Sequence, residues 1–300
     1  MEDLGEKAAY QSQRYAFNPG VRVATLTNFA RFQVFILGGK PYSDRPWDAW
    51  KEWQYTEFVS KADEIWDLLS RSRVGANSLE STIAALPKRA VAMPGGRQGW
   101  LIPPDRIKPV DSDFLEFIEQ KRAELATDLL KHNPNRDFSA HDLNEAVQRI
   151  LNRVLFTRIC EDRDIDTGLT LEGLLADYKG DVSPDGALHE RLVKHFNRLD
   201  KVFNGSLFQT GHFSEHLSVS DEFLTAFIFD LSSEDSPYLF STLPIEILAS
   251  VYERFLGKTL TIGPSKHVTL ELKPELRKLG GIYYTPNSAG CKSGCVSKRV

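Results

Sequence analysis

None of the apolar runs in these 300 residues is long enough to span a bilayer, which excludes a membrane-crossing helix. Cysteine is scarce: Cys160, Cys291 and Cys295 are the only three. An odd, sparse count without a signal peptide argues against a disulfide framework and points to a reducing, cytoplasmic setting. Internal repeats and low-complexity tracts are absent. So is an excess of positive charge: the formal net charge is -4. That excludes the global basic signature of a small nucleic-acid binder. It leaves room for a local basic groove, which a net count does not register. What is present is ordinary for a globular protein, with 41% hydrophobic and 26% charged residues.

The pattern predicts a helix over "EKAAYQSQRYAF", stopped by Asn18-Pro19-Gly20, then two strands, "VRVATL" and "RFQVFIL". From Trp47 the character turns helical. "TEFVSKADEIWDLLSRSRV" reads as one amphipathic helix with Phe58, Ala62, Ile65, Trp66 and Leu69 on one side. A Gly/Pro-rich loop runs from Pro94 to Pro109. Further helices are predicted for "SDFLEFIEQKRAELATDLLKHN", "LEGLLADY", "ALHERLVKHFNRLDKVF", "DEFLTAFIFDL" and "IEILASVYERFL". The clearest begins at Ser139 and Asp142, which have capping-box spacing. It continues as an apolar stripe of Leu143, Val147, Ile150, Leu151, Val154, Leu155 and Ile159. "HVTLEL" is a short strand. The expected fold is mostly α.

Several segments then align with one family. "ILNRVLFTRICEDRDI", "FNGSLF", "LPIEILASVYERFLG" and "GGIYYTP" resemble, in order, parts of type IIG restriction-modification enzymes, which fuse a restriction nuclease to an adenine-specific DNA methyltransferase. "QSQRYAF" followed by "LTNFARFQVF" resembles the end of the fused nuclease domain. The resemblance implies four parts: 1–45 as an α/β remnant of a PD-(D/E)xK-type nuclease domain, 46–265 as a helical connector, 266–286 as the start of a Rossmann-like methyltransferase, and 287–300 as a divergent, disordered tail. It implies S-adenosylmethionine contact by Tyr283, Tyr284, Thr285 and Pro286, and a nuclease-motif role for Gln11 and Tyr15. The implied partners are double-stranded DNA and, in a second reading, a separate methyltransferase polypeptide.

Gln11 and Tyr15, four apart, project from one helix face and can brace a carboxylate or meet a phosphate. A nuclease of this kind needs paired carboxylates that hold Mg²⁺ and activate water. No such pair sits on a strand-like run before Gln11. Methyl transfer to adenine N6 needs an Asn/Asp-Pro-Pro-Tyr/Phe loop around the flipped base, and these 300 residues contain none. The expectation is therefore a truncated or frame-shifted piece of such an enzyme, catalytically silent, with neither cofactor bound. Arg149, Arg153, Arg158, Lys273, Arg277 and Lys278 are candidates for DNA backbone contact. His212, Glu215 and His216 match a zinc-protease spacing. Their loop-like setting argues against a metal, and Cys291 and Cys295 lack a partner pair. Cys160 is expected to be a small buried hydrophobe.

Overall fold

Helix α1 (Glu6–Phe17) ends at Asn18, where the Asn-Pro-Gly stop was expected. Strands β1 (Val23–Thr27) and β2 (Arg31–Ile36) pair antiparallel, with Thr25 opposite Val34. A third strand, β3 (Lys51–Gln54), adds to β2 with Phe32 opposite Trp53. β3 is a strand the sequence reading did not anticipate. Alternation along β2 divides the small sheet between two cores. Phe35 joins Ala9 and Phe17 of α1 in the main core, whereas Val34 packs with Trp53 and Leu68 in a second cluster. The computed structural model describes residues 4–44, 46–85, 91–92, 98–99, 109–180, 187–203, 205–263 and 268–273.

The single long helix expected after Thr56 is broken. A one-turn 3₁₀ helix (Tyr55–Glu57) is followed by α2 (Ala62–Leu69), α3 (Arg71–Gly75) and α4 (Ser78–Ala85). Ser70, with ψ 145°, is extended and interrupts the helix. The face also differs from the expected stripe. Phe58, Ile65 and Leu69 do pack on the second cluster, but Leu68 is the buried residue and Trp66 is 68% exposed. A short ladder, β4 (Val91–Ala92) with β5 (Gln98–Gly99), comes next.

The remaining elements form a helical body: α5 (Val110–His132), α6 (Ala140–Asp162), α7 (Leu171–Lys179), α8 (Ala187–Phe203), α9 (Asp221–Ser232) and α10 (Ile245–Leu256). All six correspond to predicted helices. Their starts have local causes. Ser139 accepts the Asp142 N–H, Thr170 the Gly173 N–H and Ser220 the Phe223 N–H, each satisfying a donor of the first turn. Of the α6 stripe, Leu143, Val147, Ile150, Leu151 and Val154 are buried; Leu155 and Ile159 are partly buried at its edge. Beyond α10 the chain forms an antiparallel hairpin, β6 (Lys258–Ile262) and β7 (Val268–Leu272), with Leu260 opposite Leu270. Only β7 was expected.

Arg122 on α5 holds these parts together. It is 1% exposed and stacks 4.6 Å from the Phe255 ring. Its guanidinium donates to the carbonyls of Phe255 and Lys258, both at 2.9 Å, and to Asn144 Oδ1. Those carbonyls lie at the end of α10 and the start of β6, where the helix dipole is negative. Burial lowers the Arg122 pKa to about 10, so it stays a cation at neutral pH. Replacing Arg122 with Met removes every donor and leaves buried carbonyls unpaired. The expected loss is roughly 2–4 kcal/mol, read from the urea midpoint by circular dichroism. An unchanged midpoint would remove Arg122 from this role.

Candidate functional site

Gln11 and Tyr15 lie on the outer face of α1, and both are exposed. They border a shallow groove of about 500 Å³ between α1 and β1. Its walls, which include Ser12, Pro19, Val21 and Thr25, carry no carboxylate. This donor set does not fit Mg²⁺, and no hydrolytic step follows from it. The opposite face of α1 is occupied by polar side chains that the motif reading missed. The Gln13 amide exchanges two 2.8 Å bonds with the Trp47 backbone. Asn18 donates to Pro237 O and accepts from Leu239 N, both at 2.8 Å. The Tyr10 hydroxyl donates to Asp235 O at 2.7 Å. Tyr10 and Asn18 fasten α1 to the loop after α9, and Gln13 fastens it to the segment before β3.

The segment "RICEDR" forms a junction of similar kind. Glu161 accepts the Leu171 N–H at 2.7 Å, at the start of α7. Asp162 accepts the Phe240 N–H at 2.9 Å, and Arg163 donates to Leu243 O at 2.9 Å. Arg158 pairs with both Glu161 and Asp162 and reaches Leu231 O on α9. Burial raises the Glu161 carboxyl above its usual range, against the Leu171 N–H and Arg158. Cys160 is 2% exposed, and burial raises its thiol as well, so it has the character of a packed hydrophobe.

Arg153 is also turned inward. Its side chain and that of Glu215 are 2% and 7% exposed and meet at 3.0 Å. The same guanidinium donates to Leu207 O at 3.0 Å and Gln209 O at 2.7 Å. Arg153 and Arg158, expected to meet phosphates, thus direct their donors to partners inside the fold. Arg149 donates to Ser206 O and Leu207 O and keeps part of its surface, as does Lys273.

Glu215 belongs to the zinc-like segment. A 3₁₀ turn, Phe213–His216, commits its carboxylate to Arg153 and to the Gly211 N–H at 3.1 Å. His216 is exposed. Among the described residues no cluster of three or more His, Cys, Asp or Glu is arranged to hold a metal. His212 instead lies between Ser214 Oγ at 2.8 Å and Glu145 Oε1 at 3.1 Å. These are Ser-His-Glu distances, but Ser214 is 1% exposed and its own N–H also points to His212 Nδ1. His212 is thus the cap of this 3₁₀ turn, and the buried serine beside it is closed to a substrate.

One larger cleft, about 650 Å³, opens between α5, α6 and α10. Phe114, Ile118, Leu155 and Phe255 are among its apolar walls, and Arg149 and Tyr252 among its polar ones.

Comparison with known proteins identifies a relative of this helical assembly. The chain is 26% identical over 269 residues to the Escherichia coli type II restriction enzyme and methyltransferase RM.Eco57I. The chain is a homologue of a restriction-modification enzyme. The match covers 89% of this chain and 24% of that relative, so it spans about a quarter of the relative's length. No family model and no solved structure matches the chain.

Tyr283, Tyr284, Thr285 and Pro286, for which the resemblance implies cofactor contact, lie outside the described residues. So do Arg277, Lys278, Cys291 and Cys295. No described helix is long and apolar enough to cross a membrane.

Two predictions follow from the buried polar groups. Arg153→Met strands the Glu215 carboxylate and is expected to cost about 3–5 kcal/mol, whereas the double change Arg153→Met with Glu215→Leu recovers most of it. Urea titration of both variants decides; equal losses would remove the pairing. The second concerns α8. Burial lowers the basicity of His189, against a bond to the Leu217 backbone, and of His195, which Arg198 lowers further. Both folded values fall below the ordinary 6.5. The stability held by the neutral rings is complete above that pH and is lost as pH falls through it towards the folded values, by at most about 1.4 kcal/mol per unit per ring. Neither ring nitrogen of His195 has a hydrogen-bond partner. His195→Leu should flatten the fall in urea midpoint between neutral and mildly acidic buffer; an unaltered fall would exclude His195 as its source.

Proposed function

We propose that this chain is the helical connecting part of a restriction-modification enzyme of type IIG organisation. The intact enzyme methylates adenine N6 in DNA with S-adenosylmethionine and cuts DNA with Mg²⁺, in the cytoplasm. The carrying observation is a match to RM.Eco57I across 89% of the chain, which includes the Arg158–Arg163 junction and α10. In this reading 1–45 corresponds to the end of the nuclease domain, 46–265 to the connector, 266–286 to the entry of the methyltransferase, and 287–300 to a divergent tail. Gln11 and Tyr15 are remnants of the nuclease motif, and Tyr283–Pro286 of the cofactor motif. DNA is the partner, with Arg149, Lys273, Arg277 and Lys278 among the residues near its backbone.

The chain itself is proposed to be catalytically silent. The base-flipping Asn/Asp-Pro-Pro-Tyr/Phe loop is missing from its sequence, and the groove at Gln11 and Tyr15 has no carboxylate. A second reading, a module that docks on a methyltransferase polypeptide, draws on the open cleft, where Ile245 is 63% and Tyr252 45% exposed.

The test uses the purified chain with duplex DNA. Labelled S-adenosylmethionine should transfer no methyl group, plasmid with Mg²⁺ should stay intact, and a mobility shift should appear at low salt and fade as salt rises. Methyl incorporation or nicking that tracks with the pure protein would overturn the silence. Absence of any shift at low salt would overturn the DNA-facing reading.

A further inference from the structure

Most basic side chains on the helical body are already engaged. Lys121 meets Glu124 and Asp230, Arg153 meets Glu215, Arg158 meets Glu161 and Asp162, Arg254 meets Asp111, and Lys258 meets Glu119. α8 differs. Arg191, Lys194, Arg198 and Lys201 recur along it at steps of three, four and three residues. At about 100° per residue these four fall within an arc of about 80°. Leu188, Leu192, Phe196 and Leu199 are buried on the opposite side. Lys194, Arg198 and Lys201 are exposed, and none of the three has an ion pair among the described residues.

The acids on the same helix do not neutralise the stripe. Glu190 stands four residues before Lys194, the spacing of a helical ion pair, yet no such pair forms among the described residues. Asp200 lies towards another side of the helix, where its charge is felt by Arg153. In a chain of net charge -4, a row of three unneutralised cations is a local field opposite in sign to the whole.

We propose that this outward face of α8 is a phosphate-binding surface for double-stranded DNA. The steps of three and four residues rise about 4.5 and 6 Å, against about 3.4 Å of duplex axis per phosphate on one strand. A helix lying along the backbone thus sets one cation against every one or two phosphates. Such contacts fix orientation on the duplex and carry no sequence information. The inference rests on the DNA-facing reading and names a surface responsible, made of residues other than Arg149 and Lys273. Arg191 has an internal interaction of its own, so the three exposed residues carry the proposal.

The experiment measures fluorescence anisotropy of a short labelled duplex with the purified 300-residue chain across a potassium chloride series. The variant is Lys194→Gln, Arg198→Gln and Lys201→Gln together. The control is Lys7→Gln with Arg73→Gln, two exposed cations paired elsewhere. Circular dichroism and the thermal midpoint confirm that both fold. The slope of log K against log salt should become shallower in the α8 variant by about 0.9 per lost phosphate contact, roughly 2–3 in all. Affinity at moderate salt should drop at least about tenfold, with the control unchanged. If the α8 variant binds with the original slope, this surface is wrong and the DNA-facing reading stands. If the unaltered chain binds no duplex at low salt, both fail.

Discussion

A buried guanidinium without a carboxylate partner holds the end of the helical body together. Arg122 donates to carbonyl oxygens at the end of α10 and the start of β6, and the nearby Glu119 charge also favours its cation. Both the turn out of α10 and the first strand of the hairpin take their position from that one side chain. Asn144 on α6 completes the arrangement, since its Oδ1 also receives the Leu260 N–H. Removing the charge would leave three elements with polar groups facing a dry interior.

The same logic recurs at Arg153 and at the Arg158–Arg163 junction. In each, long cationic side chains are turned inward to gather backbone carbonyls from loops that lack regular structure of their own. The carbonyls of Leu207 and Gln209 are held this way by Arg153, and those of Tyr238 and Leu243 by Arg14 and Arg163. A helical bundle with long connections needs such ties, because a loop buried without partners would strand its peptide groups. Motif residues that resemble a catalytic family are here explained by architecture.

Much of the helical body was legible because its causes are local. The α6 stripe and the Ser139 cap lie within adjacent turns of chain, and both appear where the spacing put them. β3 and β6 were not legible, because a four- or five-residue strand owes its existence to a partner strand brought in from elsewhere. The helix expected across 56–74 failed for the opposite reason: its apolar residues serve a sheet face, which demands Leu68 and releases Trp66. The inward arginines left a trace that the charge-based reading passed over. Arg122 stands at a core position of the series Leu115, Ile118, Leu125, Leu129, and Arg153 follows Ile150 by three on the α6 stripe. A cation on the apolar face of a helix signals an internal tie, whereas the row on α8 falls on the polar face. The candidate site was less legible than the fold, since among the described residues the groove beside Gln11 and Tyr15 has no carboxylate.

The hairpin after α10 begins and ends at one place. Lys258 pairs with Leu272, and the Lys273 N–H returns to the carbonyl of Gly257 at 3.0 Å. The path of the polypeptide is thereby closed on itself, like a side loop on a railway line. Whatever length the hairpin takes, the chain departs from the spot where it arrived. Insertions between β6 and β7 would leave the direction and distance between α10 and the sequence after Lys273 unaltered. The hairpin is thus the part of this body that evolution can lengthen, shorten or decorate without disturbing the register of what comes before and after.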